Sequence, residues 1–494
     1  MRSADVVATT TGGPVRGLRR SFGRVFLGVP YAAPPVGDRR FAAPVPHERW
    51  TRVRDATRPG PTAPQPLRDA FGTLDLSPFF GPGWRRGEDY LTVDVWCPDR
   101  PVPDQPAPTG PVPDRPGGAP VMVFVHGGGF VAGSPGAPLY DGTAFARDGV
   151  VLVTVTYRLG IPGFLHLPDA PDNRGMLDVL AALRWVRENV AGFGGDPSNV
   201  TLFGQSAGAI LVGGLLADPA ARGLFRRAIV QSGSGTAAFT PEQAALVAAA
   251  VGREVGGSPS ARTLASATDE ALVAVVPRLA GLDLRTPDHH DPLGGITPFS
   301  LVLEEQPADA VAAGEGRDVD LLIGSTLDEG SLYLAPLGLL ATTTDDDVRR
   351  TAARFHTRPD DVVRDVRARW PDASPARLRT VILGDGLFGA GTRRLTAAHA
   401  EQMAAATFAY RFDRRSDALD GQLGAAHVME LPFVFDRLDL PSLHGPHALL
   451  GTSPPPQDLA TWMHRAWVRF AATGEPGWPP HEPGRPHVEE IGGD

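Results

Sequence analysis

The sequence predicts an α/β fold, with helices on both faces of a mostly parallel central sheet. Two observations lead to this prediction: short segments rich in Val, Ile, Leu, Phe and Thr alternate with helical patterns, and several of these segments are apolar almost without interruption. A strand needs that continuous apolar character when helices bury both of its faces. In chain order, the predicted strands lie in the segments VMVFVHGGGF, VVLVTVTYRLG, NVTLFGQSAGA, RRAIVQSGSG, DLLIGSTLDEG and TFAYRFDRR.

The clearest helical pattern between these strands is MLDVLAALRWVRENVAGF. Its apolar residues gather toward one face, and Gly194 and Gly195 follow as typical helix-stopping residues. Hydrophobic residues make up 42% of the 494 residues and charged residues 21%, a balance that favours a globular protein with a large core. We therefore expect strands and helices to alternate along most of the chain.

Composition also limits the partners and the compartment. The formal net charge is -9 and no dense stripe of Lys and Arg is present, so a nucleic-acid partner is not expected. Cys97 is the single cysteine, which excludes an intramolecular disulfide, and no run of about 20 apolar residues predicts a secretory signal or a membrane span. We expect a cytoplasmic protein, monomeric or dimeric, that acts on a small molecule and has no membrane partner.

Three regions interrupt the alternating pattern. Residues 98–120 form a Pro- and Gly-rich tract, in which PVPDQP and PVPDRP nearly repeat, and we interpret it as a surface loop between two strands. Residues 241–298 are irregular in pattern, and residues 342–375 are charged and helix-like. We expect the latter two regions to cap the functional face of the sheet.

A turn suited to a nucleophilic serine follows the predicted strand NVTLF. Gly204-Gln205-Ser206-Ala207-Gly208 lies between that strand and a run of small residues that predicts a helix. The two glycines allow a turn that leaves no room for a Cβ, and such a turn holds the serine Oγ above the sheet. In a chain with 58 glycines the pattern alone is weak evidence, so its surroundings must support the interpretation.

Those surroundings include His126-Gly127-Gly128-Gly129-Phe130, directly after the predicted strand VMVFV. Consecutive glycines let neighbouring backbone N–H groups point at one spot, as an oxyanion hole requires. We assign its donors to Gly128, Gly129 and Ala207. A phosphate-binding loop is the competing interpretation, but no GKS or GKT follows and no Rossmann spacing occurs.

The residues that would activate Ser206 are less sharply defined. In hydrolases of this sheet type the order is serine, acid, histidine, which excludes every histidine before the serine. His427 follows the predicted strand TFAYRF, within an apolar segment that could place it in a cleft. Asp328 and Glu329 directly follow the predicted strand DLLIGSTL, at the edge where such sheets bind ligands. Either could be the acid.

Together, these segments resemble the type-B carboxylesterase and cholinesterase-like family of α/β-hydrolases, in particular its bacterial para-nitrobenzyl-esterase-like members. The likeness runs nearly end to end, through FLGVPYAAPPVGDRRF, GEDYLTVDVW, VHGGGFVAGS, TYRLGIPGFL, NVTLFGQSAGA, IVQSGS, GSTLDEGS, AAHVMELPFVF and WVRFAATGEP. The resemblance implies one enlarged α/β-hydrolase domain over residues 1–494, with cap-forming insertions. No HExxH motif is present, and neither a metal nor an organic cofactor is expected.

The resemblance also distinguishes between the two candidate acids. It implies that Glu329, rather than Asp328, is the acid and that His427 is the base. It further implies that Ser232, in IVQSGS, helps to orient the acid.

Three further expectations follow from the resemblance. It implies a structural ion pair between Arg40 and Glu88. Gln205 stands where the family often has Glu, which removes a charge that would favour cations and argues against choline-like substrates. Tyr90 stands where many secreted members have a disulfide cysteine, consistent with an intracellular enzyme.

The expected activity is hydrolysis of carboxylic esters with small to medium acyl and alcohol groups, through an acyl-enzyme on Ser206. The same chemistry would serve carbamates, amides, thioesters or lactones, and a non-catalytic cholinesterase-like binding protein is a further alternative. The side chains expected to line the substrate pocket are Phe130, Gln205, Trp84, Phe388 and Phe433.

Overall fold

Residues 5–99 and 118–493, which the computed structural model describes, build a sheet of 12 strands and a separate two-stranded ribbon. The strands are β1 (Asp5–Thr9), β2 (Pro14–Arg20), β3 (Gly23–Pro30), β4 (Arg54–Asp55), β5 (Ala70–Phe71), β6 (Leu74–Asp75), β7 (Thr92–Pro98), β8 (Ala119–Val125), β9 (Val151–Val155), β10 (Gly195–Gln205), β11 (Arg227–Gln231), β12 (Asp320–Thr326), β13 (Thr407–Phe412) and β14 (Glu489–Ile491). The main sheet has the order β1-β2-β3-β7-β9-β8-β10-β11-β12-β13-β14, and β4 pairs with β2. Neighbouring strands are antiparallel from β1 to β9 and parallel from β9 to β14.

Helices occupy most connections between the parallel strands. They are α1 (Ser77–Phe80), α2 (Thr143–Arg147), α3 (Gly160–Phe164), α4 (Arg174–Asn189), α5 (Ala207–Leu216), α6 (Pro241–Val255), α7 (Ala261–Leu264), α8 (Asp269–Val275), α9 (Pro307–Ala312), α10 (Asp345–Phe355), α11 (Pro359–Arg369), α12 (Pro375–Gly384), α13 (Ala390–Gln402), α14 (Leu431–Val434) and α15 (Gln457–Thr473). A π-helical turn over Asp385–Gly389 joins α12 to α13. None of the helices in the described ranges combines the length and apolar character needed to cross a bilayer.

The main sheet separates two hydrophobic cores, because successive residues of a strand point to opposite faces. In β8, Val121, Val123 and Val125 belong to the core that contains α4, α5 and α6. Met122 and Phe124 belong to the core that contains α2 and α15. All five side chains are fully buried. The continuous apolar segments of the sequence are therefore strands covered on both faces.

The alternation of strands and helices predicted from the sequence is confirmed. The six predicted segments overlap β8 to β13, and the predicted amphipathic helix overlaps α4. A 3-10 turn over Val190–Phe193 extends α4 to Gly194, whose φ of 91° is a left-handed conformation that favours glycine.

The regions expected to form a cap differ in their relation to the functional face. Residues 241–298 contain α6, α7 and α8. They end in a loop whose Leu293 and Ile296 line the cavity that also contains Ser206. Residues 342–375 contain α10 and α11, which pack on α12, but none of these residues lines that cavity within the described part of the chain. The Pro-rich tract predicted over 98–120 lies mostly outside the described residues.

The prediction of an ion pair between Arg40 and Glu88 is wrong. The Arg40 guanidinium bonds instead to the Asp269 carboxylate in the first turn of α8 and to the Ala267 carbonyl. Glu88 is exposed. Asp269 lies 229 residues beyond Arg40, so only the packing of α8 against the N-terminal region brings the two together.

Candidate active site

Ser206 lies at the sharp turn between β10 and α5, as the motif predicts. Its φ of 57° and ψ of -126° form a conformation that few non-glycine residues adopt, and its N–H donates to the Gln231 carbonyl at 3.0 Å. A Cβ on Gly204 would come within 2.6 Å of the Gly208 backbone, and a Cβ on Gly208 within 2.0 Å of the Val125 carbonyl oxygen. Both glycines are therefore required for the close approach of backbones that forms this turn.

Gly128, Gly129 and Ala207 line the same cavity as Ser206. Gly128 has a φ of 115° and Gly129 a φ of 62°, conformations that favour glycine, and Ala207 is the first residue of α5. Among the described residues, no hydrogen-bond acceptor pairs with the backbone N–H of these three residues. The three N–H groups are therefore available to a negatively charged oxygen in the cavity.

The carbonyl groups of the glycine loop are held by hydrogen bonds. The N–H groups of Val131 and Ala132 both donate to the Gly128 carbonyl at 3.2 Å, and Thr297 Oγ1 donates to the Gly129 carbonyl at 2.6 Å. These bonds fix the orientation of the peptide groups, so the N–H donors need little reorganisation when charge develops.

His126, the histidine of the same loop, lies behind it in the core. Its ring stacks on Tyr157 with centroids 4.5 Å apart, and its Nδ1 donates to the Gly127 carbonyl at 2.8 Å. Burial lowers the pKa of His126 to about 4, so this ring is neutral at neutral pH. Its position agrees with its exclusion as the base.

His427 and Glu329 form a buried hydrogen-bonded pair at the cavity. Glu329 begins the 3-10 turn after β12, and His427 precedes α14. His427 Nδ1 lies 2.5 Å from Glu329 Oε2, and because a carboxylate only accepts, Nδ1 is the nitrogen that carries the proton. This tautomer leaves His427 Nε2 free to accept a proton.

The second oxygen of Glu329 is also fixed. Ser232 Oγ donates to Glu329 Oε1 at 2.6 Å, and the Thr326 N–H donates to the same oxygen at 2.8 Å. Ser232 directly follows β11, the strand next to β12. The Glu329 carboxylate is therefore held by three hydrogen bonds, one of them to His427.

Asp328, the other candidate acid, has different partners. Its carboxylate bonds to Arg377, to Arg415 at 2.5 Å and to the Ala425 N–H at 3.1 Å. Although burial opposes ionisation, the two arginines hold the pKa of Asp328 below its usual value. Asp328 is thus a charged group that connects three chain segments, and no hydrogen bond joins it to His427.

Gln205 lies beside Nε2, the nitrogen of His427 that carries no proton. The Gln205 side-chain amide nitrogen lies 3.2 Å from His427 Nε2 and donates to it. Within the described ranges the Ser206 hydroxyl makes no hydrogen bond. Phe388 stacks on the imidazole from one side, with centroids 4.3 Å apart and an interplanar angle of 11°. The imidazole plane is therefore fixed, and its Nε2 has a donor other than the serine.

Aromatic and aliphatic side chains form most of the wall of the cavity in front of these residues. Three of the predicted pocket residues, Phe130, Gln205 and Phe388, line it. Phe388 lies in the π-helical turn after α12, an irregularity that often accompanies functional sites.

Trp84 and Phe433 were expected in the pocket, and this prediction is wrong. The Arg86 guanidinium covers the Trp84 ring at 3.4 Å from its centroid, outside the cavity lining. Phe433, on α14, is fully buried in the second core, where its ring lies 5.1 Å from that of Phe412. Their aromatic character did not reveal which way each side chain points.

Arg68, Tyr333 and Glu430 also belong to this region, but none of them was predicted. Arg68 and Tyr333 line the cavity, in segments without a recognisable motif. Glu430 lies three residues after His427, and that spacing in HVMELPFVF was the only available signal. Within the described ranges, no group of three or more His, Cys, Asp or Glu side chains could hold a metal ion.

Glu430 is a buried carboxyl group behind the cavity. Its Oε1 accepts from the Gln231 side-chain amide at 3.4 Å, and its Oε2 has no partner among the described residues. Burial, together with the negative charge of Glu329, raises the pKa of Glu430 to about 8. Glu430 is therefore mostly protonated at neutral pH, which avoids a second negative charge beside Glu329.

Known proteins match this chain over almost its whole length. The profile of the carboxylesterase family matches residues 3–490. The para-nitrobenzyl esterase of Bacillus subtilis (strain 168) is 36% identical, over 96% of this chain and 92% of that protein. The phenmedipham hydrolase of Pseudarthrobacter oxydans is 33% identical, over 98% of this chain and 95% of that protein. Among solved structures, a carboxylesterase of Geobacillus stearothermophilus aligns with a TM-score of 0.80 and 34% identity, over 98% of this chain and 96% of that one.

Proposed function

The chain belongs to the carboxylesterase family and has its α/β-hydrolase fold, and on that premise we propose that it cleaves esters through an acyl-enzyme on Ser206. The protein is a carboxylic-ester hydrolase. In the proposed mechanism His427 is the base, Glu329 orients it, and Gly128, Gly129 and Ala207 supply the oxyanion hole. The substrates are esters with small to medium acyl and alcohol groups.

The support for this proposal is the arrangement of side chains and backbone groups around one cavity. The hydrogen-bonded series Ser232, Glu329 and His427 ends at the cavity that also contains the Ser206 hydroxyl and three backbone N–H groups with no acceptor among the described residues. Nucleophile, base, orienting acid and oxyanion donors are the parts that acyl transfer needs.

In the first half-reaction, Ser206 Oγ attacks the ester carbonyl carbon while His427 Nε2 accepts the hydroxyl proton. The negative oxygen of the tetrahedral intermediate binds the backbone N–H groups of the oxyanion hole. The imidazolium that forms lies against the Glu329 carboxylate, whose charge stabilises it. His427 then donates its proton to the leaving oxygen, the alcohol departs, and the acyl group remains on Ser206.

In the second half-reaction, water replaces the alcohol and follows the same path. His427 Nε2 accepts a proton from the water as it attacks the acyl carbon, and the resulting intermediate again binds the oxyanion hole. Collapse of this intermediate returns the proton to Ser206 and releases the carboxylic acid. One ester and one water thus yield one acid and one alcohol.

Gln205 adds one step before the attack. Because its amide donates to His427 Nε2, that nitrogen must exchange the Gln205 hydrogen bond for one from the Ser206 hydroxyl. Hydrogen bonds of the reactive pair often shorten only when substrate binds.

The decisive experiment compares the wild-type protein with Ser206→Ala on p-nitrophenyl acetate and p-nitrophenyl butyrate. Loss of the nucleophile should reduce kcat by at least about a thousandfold, because the other groups of a triad cannot replace it. Ser234→Ala is the matched control, since Ser234 is also buried but bonds to Thr236. Equal nitrophenol release by wild type and Ser206→Ala would refute the mechanism.

We also propose that the enzyme works in the cytoplasm. The support is its single, buried cysteine, Cys97, which permits no intramolecular disulfide. Cell fractionation with detection of the native protein tests this; recovery in the extracytoplasmic fraction would contradict it.

A further inference from the structure

Arg68 places a cation in the wall of an otherwise mostly apolar cavity. Its side chain is half-buried and lines the cavity together with Ser206 and the glycine loop. Its Nη1 donates to the Gly128 carbonyl at 3.3 Å, and its Cζ lies 5.4 Å from the centre of the Phe80 ring. The guanidinium therefore lies in the wall of the cavity that contains Ser206, against the glycine loop.

Two fully buried arginines, Arg158 and Arg174, have partners that satisfy most of their donors. Arg158 forms an ion pair with Asp178 at 2.7 Å, and Arg174 donates to several carbonyls, including Pro162 at 2.7 Å and Leu165 at 2.6 Å. Arg68 differs: within the described residues its one hydrogen bond is to the Gly128 carbonyl, and it has no acidic partner. A guanidinium has five N–H donors, so most of those on Arg68 are available.

Within the described part of the chain, the lining of the cavity also supplies no compensating charge for Arg68. No Asp or Glu is among the described residues that line the cavity. Burial lowers the pKa of Arg68 from its ordinary value, and Tyr333 partly opposes this effect. A partly desolvated cation without a counterion gains from an anion that reaches it, and the planar guanidinium matches a carboxylate with two parallel hydrogen bonds.

We propose that Arg68 makes this enzyme selective for esters that carry a free carboxylate elsewhere in the molecule, such as monoesters of dicarboxylic acids; this rests on the function proposed for Ser206. The carboxylate of the substrate binds the Arg68 guanidinium while Ser206 attacks the ester carbonyl. Hydrolysis consumes one water and yields an acid and an alcohol, and Arg68 takes part in no bond change. With a net charge of -9, the chain as a whole does not attract anions, so the selectivity depends on this one local cation.

A purely structural role of Arg68 predicts a different result. If Arg68 only holds the Gly128 carbonyl, its loss disturbs the glycine loop and slows charged and uncharged esters by the same factor. The ratio of kcat/KM for two matched esters cancels that common factor. This ratio therefore separates substrate recognition from support of the loop.

The test uses two substrate pairs, assayed by pH-stat. The pair 4-acetoxybenzoate and 4-methylphenyl acetate varies the charge on the alcohol side, and the pair monoethyl adipate and ethyl hexanoate varies it on the acyl side. The proteins are wild type, Arg68→Met, Arg68→Lys and the control Arg86→Met, whose arginine is exposed and pairs with Glu270.

In at least one pair, Arg68→Met should lower the ratio of charged to uncharged kcat/KM by about tenfold, the usual effect of one charge-assisted hydrogen bond. Arg68→Lys keeps the charge and should retain part of the ratio, and Arg86→Met should leave it unchanged. A fall of less than about threefold in both pairs, or an equal fall in Arg86→Met, overturns the proposal. Failure of the esterase function itself would look different: the uncharged esters would be cleaved equally by wild type and Ser206→Ala.

Discussion

Replacing Ser232 by alanine tests whether the orientation of Glu329 limits the reaction. Ser232 Oγ donates to Glu329 Oε1 at 2.6 Å, a short hydrogen bond to a charged acceptor inside the protein. Hydrogen bonds of this type contribute about 1.5 to 3 kcal/mol, but the Thr326 N–H at 2.8 Å remains on the same oxygen. The lower end of that range therefore applies, and about 1.5 kcal/mol corresponds to roughly a tenfold loss of kcat/KM.

The backbone at this position does not complicate the comparison. Ser232 has a φ of 49°, and alanine and serine meet the same steric resistance at that angle. The substitution removes one hydroxyl and leaves a space smaller than a methyl group. Thermal unfolding should therefore change little compared with the loss of activity.

The assay measures kcat and KM on p-nitrophenyl butyrate for wild type, Ser232→Ala and Ser234→Ala. We expect the loss mainly in kcat, because Glu329 stabilises the imidazolium that forms during the reaction rather than the bound ester. If Ser232→Ala stays within about twofold of wild type, or if Ser234→Ala loses as much activity, the hydrogen bond to Glu329 has no role in turnover.

Two further predictions concern the carboxylates around His427. Glu329→Gln should lower kcat/KM far more than Asp328→Asn when both variants remain folded, because only Glu329 accepts from His427 Nδ1; a larger loss in Asp328→Asn would reverse the assignment. Glu430→Gln should change the pH dependence of stability, since the pKa of Glu430 is raised to about 8 in the native state. Between the unfolded carboxyl pKa and about pH 8, the unfolded chain loses this proton while the native protein keeps it, so wild-type stability falls by up to about 1.4 kcal/mol per pH unit. Urea unfolding at pH 5, 6.5 and 8 should show a smaller decline for Glu430→Gln, and parallel declines would contradict the raised pKa.

Local patterns in the sequence predicted much of the fold. Continuous apolar segments identified β8 to β13, and the 3.6-residue period identified α4, because burial on one or both faces is a property of neighbouring residues. The turn at Ser206 was predictable for a similar reason. A strand, a glycine on each side of the serine and a following helix are all contained in a short stretch of chain.

Tertiary structure decided the contacts between distant residues. From their own pattern, Asp328 and Glu329 were equivalent, and only the resemblance distinguished them; the turn after β12 directs Glu329 to His427 and Asp328 to Arg377. Arg40 contacts Asp269 rather than Glu88, because α8 packs against it.

The sequence by itself thus determined the order of strands and helices and the candidate nucleophile. Only the tertiary structure decided which side chains surround that nucleophile: Phe388 stacks on His427, whereas Phe433 is buried in the core, and Arg68 enters the cavity from a segment without a motif. The physical reason is that a residue type and its local period specify burial, whereas the direction of a side chain and its partner depend on how segments far apart in the chain pack together.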